Sequence, residues 1–269
     1  MQMIPALKTI LLDMDGVLWH GSKPLLDVQH LFDQIQRFGL RPYCVTNNST
    51  RTVNHHLRKM QELGVELDHS QILTSAESTA LFLDRRFPEH GDVFVIGEAG
   101  IKEALREKGF DLLNGFEGRS ARAVVVGLDE NFSFHDFDLA VRYLQQGAFL
   151  IGTNPDATIP TPDGVAPGAG ALIKGIEVSS GKEAHIIGKP HPDLYLEALS
   201  RAESLPEETL MIGDRLETDI HGAQQLGLRT ALVLSGITTE KQAQTWQPQP
   251  DLIAENAIQV IEIVGTKNG

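Results

Sequence analysis

Short, almost wholly apolar runs alternate along the chain with longer segments that have helical spacing. In the first part, KTILLD (8–13) and RPYCVTNN (41–48) have the composition of strands, and residues 25–39 and 53–64 have the pattern of helices. Strands that are apolar on both faces are typical of parallel sheets covered by helices. The pattern therefore predicts an α/β fold with a doubly wound parallel sheet.

The same alternation returns in the last third of the chain. Strand-like runs lie at 184–190, 209–214 and 230–236, and helical segments lie between them at 192–203 and 218–227. The recurrence predicts that the two ends of the chain build one common sheet.

The middle of the chain has its own strand–helix series. Strand-like runs at 92–100, 121–129 and 148–156 precede a proline- and glycine-rich loop at 155–171. We therefore predict two domains, the second inserted in the first. Their predicted limits are 1–77 with 186–269 for a discontinuous core, and 78–185 for the insert.

Composition and charge narrow the classes of function. The chain has 269 residues, 41% of them hydrophobic, and a formal net charge of −13. A negative charge of this size disfavours binding to nucleic acid or to anionic membranes, and no run has membrane-spanning length. Cys44 is the single cysteine, which excludes an intrachain disulfide and favours a buried apolar role. The expected location is the cytoplasm.

Polar residues follow four of the apolar runs directly. The four groups are Asp13 with Asp15, Thr46-Asn47-Asn48, Lys189, and Asp214 with Asp219. Ligands of open α/β sheets bind outside the carboxyl ends of the strands. If the four strands are parallel, these side chains converge on one crevice.

Several carboxylates in one crevice raise each other's pKa unless a cation offsets their charge. Oxygen ligands without a neighbouring histidine or cysteine suit Mg²⁺, which also leaves positions for water and a substrate phosphate. Lys189, Thr46 and Asn47 are suited to hold phosphate oxygens. The set therefore predicts phosphoryl transfer.

Each group has an ordinary structural interpretation when it is taken alone. Asp and Gly are common in turns, a lysine before a proline is usually solvated, and Asp214 or Asp219 could cap a helix. Their order and their common position after strands favour a functional site.

Four motifs resemble those of the haloacid dehalogenase (HAD) superfamily. They are DMDGVLW, VTNNS, GKPHPDLY and MIGDRLETDI, in this order. An insert between the second and third motif resembles the C2 type of cap domain. Within it, GTNPDATIPTPDGVAPGAGAL is similar to the NagD-like, p-nitrophenyl phosphatase-like group, subfamily IIA. The resemblance implies a Rossmann-like core with a smaller inserted α/β cap.

The resemblance also implies roles for individual residues. Asp13 would be the nucleophile that forms an aspartyl-phosphate, and Asp15 would be the general acid and base. The implied Mg²⁺ ligands are Asp13, the backbone carbonyl of Asp15, and Asp214, with Asp219 orienting this shell or Lys189. Stabilisation of the transferring phosphoryl group is implied for Thr46, Asn47, Asn48 and Lys189.

The predicted activity is Mg²⁺-dependent hydrolysis of small phosphomonoesters of the nucleotide, sugar, phosphoglycolate or p-nitrophenyl phosphate type. Asp15 favours a phosphatase over a dehalogenase, because a departing halide needs no proton while a departing alkoxide does. The open alternatives are a phosphotransferase or mutase, a receiver-type phosphoacceptor, and a regulator that binds a phosphorylated ligand without hydrolysis.

The cap is expected to close over the reaction and to select the substrate, a small phosphorylated metabolite. Within its loop at 153–171, the residues expected to face the cleft are Asn154, Asp156 and Ile159. The cap resemblance also makes a homodimer an expectation.

Overall fold

A computed structural model of the chain describes residues 7–116, 118–161 and 164–268. The strands are β1 (Thr9–Leu12), β2 (Trp19–His20), β3 (Lys23–Pro24), β4 (Arg41–Thr46), β5 (Ile72–Thr74), β6 (Gly91–Ile96), β7 (Phe110–Leu113), β8 (Ala123–Val126), β9 (Phe149–Gly152), β10 (Thr158–Thr161), β11 (Gly164–Pro167), β12 (His185–Ile186), β13 (Thr209–Gly213), β14 (Arg229–Val233) and β15 (Leu252–Ala254).

The helices alternate with these strands. They are α1 (Val28–Arg37), α2 (Val53–Glu62), α3 (Ser75–Arg86), α4 (Ala99–Glu107), α5 (Phe134–Gln145), α6 (Ala169–Ser180), α7 (Pro192–Ala202), α8 (His221–Gln225), α9 (Glu240–Thr245) and α10 (Ala257–Asn268). Short 3₁₀ turns occupy His69–Gln71 and Pro206–Glu208, and a π-helical turn occupies Leu216–Ile220. Within the described ranges, none of the helices has the length and apolar character needed to cross a bilayer.

The chain divides into two compact units. The first contains the residues up to Thr46, His56–Leu73 and the residues from Lys189 onward, and the second contains Asn47–His55 and Thr74–Gly188. The longer segment of the second unit, Thr74–Gly188, overlaps the predicted insert at 78–185. The second unit also contains residues 47–55, which lie within the predicted core range, and the domain limits stay a prediction.

The segment 47–55 belongs to the second unit because the backbone of its first part, before α2, binds the start of α4. The amide of Gly100 donates to the Thr50 carbonyl (2.9 Å), and the amide of Ile101 donates to the Ser49 carbonyl (3.0 Å). A side chain at position 100 would not fit this approach, since a Cβ there would lie 2.5 Å from the Arg51 carbonyl oxygen.

The first unit is built on a six-stranded sheet with the order β15-β14-β13-β1-β4-β5. The strands from β15 to β4 pair in parallel. Helices α7 and α8 cover one group of core side chains, in which Tyr195 and Leu199 pack on Leu11 and Met211. The chain order places β4 and β13 on opposite sides of β1, which makes the β1–β13 crevice a topological switch point.

The second unit has a five-stranded parallel sheet with the order β12-β9-β8-β6-β7. Two apolar clusters flank it, one with side chains from α3 and α4 and the other with side chains from α5 and α6. Both units are thus parallel sheets with helices, and the predicted α/β fold class is confirmed.

Two details of the sequence prediction were wrong. The strand before Lys189 is β12, which pairs with β9 in the second sheet and not with β1, β4 or β13. The stretch at 155–171, predicted as a loop, holds the antiparallel pair β10–β11 and the start of α6. The partner of β12 lies far along the chain, so a local pattern does not identify it. The proline- and glycine-rich composition of 155–171 is more typical of a loop than of the short β10–β11 hairpin.

Candidate active site

The register of three neighbouring strands gathers the first acidic residues. Leu12 of β1 lies opposite Ile212 of β13 and opposite Cys44 of β4. Asp13 follows Leu12 directly, and Asp214 follows the end of β13. Both aspartates therefore lie at the carboxyl edge of the sheet, at its switch point.

Lys189 lies between two buried carboxylates. Its Nζ is 2.6 Å from Asp13 Oδ1 and 2.7 Å from Asp219 Oδ1, and it donates a hydrogen bond to the Val45 carbonyl (3.1 Å). The side chains of Lys189 and Asp219 are 2% and 1% exposed, so water screens this contact weakly. The lysine therefore fixes the orientation of the Asp13 carboxylate.

Burial and neighbouring charges shift the pKa values in this group. Burial raises the pKa of Asp13 well above its ordinary value, Lys189 opposes the rise, and Asp219 and Asp214 add to it. Burial also disfavours the charged lysine, but the Asp13 and Asp219 carboxylates outweigh it and raise the pKa of Lys189. Lys189 is therefore a fixed positive charge at neutral pH.

Asp214 is held from one side by the loop after β14. Its Oδ2 accepts a hydrogen bond from the Ile237 amide (2.8 Å), and the nearby Ser235 hydroxyl donates to the Gly16 carbonyl (2.8 Å). A Cβ at Gly16 or Gly236 would lie 2.4 or 1.9 Å from Asp214 Oδ2. Gly16 also has a φ of +90°, which favours glycine.

The carboxylates of the cluster fit a hard divalent cation. One oxygen from each of Asp13, Asp214 and Asp219 lies within 4.8 Å of the others. Among the described residues, Asp214 Oδ1 is buried and has no hydrogen-bond donor. Burial raises the pKa of Asp214 to about 6, and the charge of Asp219 adds to the rise. An all-oxygen set with an unpaired buried carboxylate oxygen suits Mg²⁺.

Asp15 has a different environment from Asp13. Its side chain is solvent-accessible, yet the surrounding protein atoms restrict its hydration and raise its pKa. The Lys59 ammonium and a hydrogen bond with the Trp19 side chain oppose this rise. A carboxyl group that is accessible and has a raised pKa can exchange a proton with a substrate.

Thr46 is the last residue of β4 and is buried, two residues after Cys44. It lies at the same carboxyl edge as Asp13 because β4 pairs with β1. Cys44 is buried as predicted, and burial raises the pKa of its thiol to about 12, with the Asp13 charge adding to the rise.

Three further predicted residues meet within the second unit. The Asn47 side-chain amide donates to both carboxylate oxygens of Asp156 (3.2 and 3.4 Å). The Asn154 amide donates to the Asn47 carbonyl (2.8 Å), and so does the Ser75 hydroxyl (2.7 Å). The predicted phosphate-binding residue Asn47 is thus joined to two residues predicted to contact substrate.

Asn48 and Ile159 have more local surroundings. Asn48 Oδ1 accepts hydrogen bonds from the Thr50 amide, the Thr50 hydroxyl and the Arg51 amide, which closes a tight turn. Ile159 lies half-buried in β10, opposite Ala166 of β11. The predicted contacts of both side chains with substrate stay predictions.

Four residues near the acidic cluster were missed from the sequence. Tyr195 donates to the Thr218 and Asp219 carbonyls (2.8 and 3.0 Å) and thereby supports the π-helical turn. The others are Ser235, Ile237 and Lys59. Ser235 follows a strand, so the same rule that selected Asp13 could have found it, while Lys59 lies in a polar helix without a distinguishing signal.

Family models match two parts of this chain. A model described as haloacid dehalogenase-like hydrolase matches residues 10–111, and a HAD-hydrolase-like model matches residues 186–260. An acid sugar phosphatase from Staphylococcus aureus is 31% identical over 243 residues, which cover 90% of this chain and 92% of that protein.

Solved structures match almost the whole chain. A p-nitrophenyl phosphatase from Archaeoglobus fulgidus superposes with a TM-score of 0.90 at 28% identity and covers 96% of this chain and 100% of its own. NagD from E. coli K-12 gives a TM-score of 0.85 at 30% identity, with 95% and 98% covered. The predicted resemblance to the NagD-like, p-nitrophenyl phosphatase-like group is confirmed.

Proposed function

Because the chain belongs to the haloacid dehalogenase-like hydrolase family, we propose that it is a Mg²⁺-dependent phosphatase of small phosphomonoesters. The observation that carries this proposal is the buried Asp13 carboxylate, held by Lys189 beside Asp214 and Asp219, with Asp15 two residues away. This arrangement combines a fixed nucleophile, a cation site and a separate proton donor.

In the first step, one carboxylate oxygen of Asp13 attacks the phosphorus atom and the ester P–O bond breaks. Asp15 gives its proton to the departing alkoxide, which leaves as an alcohol. Lys189 holds Asp13 Oδ1 in place, so the nucleophile loses little conformational freedom when it attacks.

In the second step, a water molecule attacks the phosphorus atom of the aspartyl-phosphate. Asp15, now a carboxylate, takes a proton from this water, and Asp13 is released together with inorganic phosphate. The restricted hydration that raises the pKa of Asp15 suits both directions of proton transfer.

The residues that would hold the cation are Asp13, Asp214 and the Asp15 carbonyl, with Asp219 beside them. When bound, Mg²⁺ supplies positive charge that offsets the charge of the phosphoryl oxygens. This chain's own contribution is a preformed carboxylate cluster, whose Asp214 Oδ1 has no donor among the described side chains and amides.

The names of the relatives support a proposal for the substrate class. They include an acid sugar phosphatase and a p-nitrophenyl phosphatase, so we propose small sugar-type and aryl phosphomonoesters as the first substrates to test. We further propose that Asn154, Asp156 and Ile159 select among these esters, and that the substrate is a small cytoplasmic metabolite.

The experiment is a phosphate-release assay over a panel of phosphomonoesters, with and without Mg²⁺. We expect turnover that needs the metal and that falls at least 1,000-fold in Asp13→Asn, since the nucleophile is lost. Lys8→Met serves as the control, because Lys8 is an exposed lysine of the same unit. We expect this variant to keep full activity.

Two outcomes would overturn the proposal. One is the absence of phosphate release from every ester tested, as a non-hydrolytic regulator or phosphoacceptor would give. The other is quantitative transfer of the phosphoryl group to an added alcohol, as a phosphotransferase or mutase would give.

A further inference from the structure

Lys59 of α2 makes two contacts with the β2–β3 hairpin of the first unit. Its Nζ donates a hydrogen bond to the Gly21 carbonyl in the hairpin turn (2.8 Å). The same ammonium lies 3.6 Å from the centre of the Trp19 ring, within the range of a cation–π interaction. A single side chain therefore holds both the turn and the first strand of the hairpin.

The hairpin is in turn closely connected to Asp15. The Trp19 carbonyl accepts a hydrogen bond from the Gly16 amide (2.8 Å), and the Trp19 amide donates to the Met14 carbonyl (3.3 Å). Asp15 and Trp19 also pair through an isolated β-bridge. Asp15 thus lies in a short loop that Trp19 closes.

Trp19 is 2% exposed, whereas Asp15 is solvent-accessible. An accessible carboxyl group can adopt several rotamers. If only one of them reaches the leaving-group oxygen, the population of the other rotamers lowers the rate of proton transfer. A buried indole fixed by a cation limits this choice in a way that the flexible Asp15 side chain does not achieve alone.

We propose that Lys59 and Trp19 are positioning residues, which fix the Asp15 carboxyl group toward the leaving-group oxygen. This inference rests on the proposed function, in which Asp15 protonates that oxygen. Lys59 acts through Trp19 and the Gly21 carbonyl and does not itself touch the substrate.

The inference predicts an effect that depends on the leaving group. A sugar alkoxide is strongly basic and needs a proton as it departs, whereas p-nitrophenolate is a weak base and departs without one. Misplacing Asp15 therefore slows the hydrolysis of a sugar phosphate more than that of p-nitrophenyl phosphate. A general loss of structure would slow both reactions equally.

The experiment compares wild type, Lys59→Met and Lys59→Arg on these two substrates with Mg²⁺. For Lys59→Met we expect kcat on the sugar phosphate to fall about 10- to 100-fold, with a smaller fall on p-nitrophenyl phosphate and unchanged KM values. Lys59→Arg keeps the cation over the ring and restores most of the loss. Lys8→Met is the matched control and changes neither rate.

Two further measurements support the comparison. Trp19→Leu removes the aromatic ring beneath Lys59, so it should show the same selective loss. In a Trp246→Phe background, Trp19 is the only tryptophan of the chain, and Lys59→Met should change its fluorescence. This signal reports the contact without any turnover.

An equal fall on both substrates, or no fall in Lys59→Met, would overturn the inference while leaving the proposed function intact. Unchanged Trp19 fluorescence in Lys59→Met would overturn it as well. If wild type releases phosphate from neither ester, the proposed function fails, and the inference fails with it.

Discussion

The acidic cluster of the first unit and the 154–167 segment of the second unit differ in how their polar groups are held. Asp13, Lys189 and Asp219 are buried and in direct ionic contact. In the segment, Asp156 is half-buried and Val165 of the hairpin is 73% exposed. Buried charges tolerate few arrangements, while exposed polar groups tolerate many. The cluster is therefore suited to keep one reaction chemistry unchanged. The segment is suited to changes in which substrate is recognised.

The variant with the largest expected effect on this contrast is Lys189→Met. Removing the cation leaves two buried carboxylates without an opposite charge beside them, so we expect a loss of about 3–5 kcal/mol in the free energy of unfolding at neutral pH. The loss should shrink as the pH falls, because Asp13, whose pKa burial raises, then takes up a proton. Urea unfolding at two pH values measures both effects.

The matched substitution in the second unit is Lys174→Met, which removes an exposed lysine paired with Glu177. We expect an unchanged unfolding midpoint, because water already screens this pair. Equal losses in the two variants would contradict the distinction between a buried and an exposed charge.

The next largest effect concerns Asp214 in metal-free protein. Its pKa of about 6 in the folded state is above the ordinary value of 3.8, so the folded protein binds this proton more tightly than the unfolded chain. The stability from this proton is complete below about pH 4 and is lost as the pH rises through 6. Asp214→Asn does not titrate, and it should exceed wild type by about 3 kcal/mol at most above pH 7.

Thermal unfolding of both proteins in EDTA, from pH 5 to 8, measures this difference. Mg²⁺ should reverse the order at pH 7.5, because it binds the wild-type carboxylate and stabilises the folded state. A constant difference across the pH range would contradict the titration of Asp214. An equal Mg²⁺ effect on both proteins would contradict its role as a metal ligand.

The part of the site that the sequence predicts is the part that lies next to a strand end. Asp13, Thr46 and Asp214 each follow an apolar run, and parallel pairing of these runs in the structure places them at one edge. Lys189 was predicted by the same rule for a wrong reason, since its strand belongs to the other sheet. Strand partners depend on the whole fold, and a local pattern identifies a strand without its neighbours.

The features that could not be predicted are polar contacts, which the spacing of apolar residues does not indicate. The π-helical turn at Leu216–Ile220 has the hydrogen bond from the Ile220 amide to the Arg215 carbonyl (3.2 Å), which the residue spacing does not indicate. Lys59 lies in a polar helix, and its meeting with Trp19 depends on how that helix packs. The pattern of apolar positions predicts which side chains are buried. It would be the same with or without these polar contacts, so it cannot predict them.

A smaller effect is expected from the loop that supports Asp214. Ser235→Ala removes the hydroxyl that donates to the Gly16 carbonyl, next to the Asp15 carbonyl predicted to bind the metal. Supporting hydrogen bonds of this kind typically change metal affinity 10- to 100-fold, so we expect a weaker Mg²⁺ affinity of that order. Calorimetric titration with Mg²⁺ measures it.

Two variants control this titration. Ser235→Thr keeps a hydroxyl and should retain the affinity, and Ser180→Ala removes a comparable hydroxyl-to-carbonyl hydrogen bond of 2.7 Å in the second unit. Wild-type affinity in Ser235→Ala would mean that the loop does not support the metal site.

The smallest effect is expected in the second unit itself. Asp156→Ala removes the carboxylate that accepts from Asn47, at a cost of about 1 kcal/mol in the free energy of unfolding. Its backbone carbonyl, which accepts from the Gly170 amide (2.9 Å), is unaffected.

We expect Asp156→Ala to change the ratio of kcat/KM between two phosphate esters about 10-fold, because this substitution alters recognition and leaves the nucleophile in place. Asp138→Ala, which removes an exposed pair with Arg142, should leave the ratio unchanged. A uniform loss on every ester would instead place Asp156 with the reaction chemistry, and the two regions would no longer differ in role.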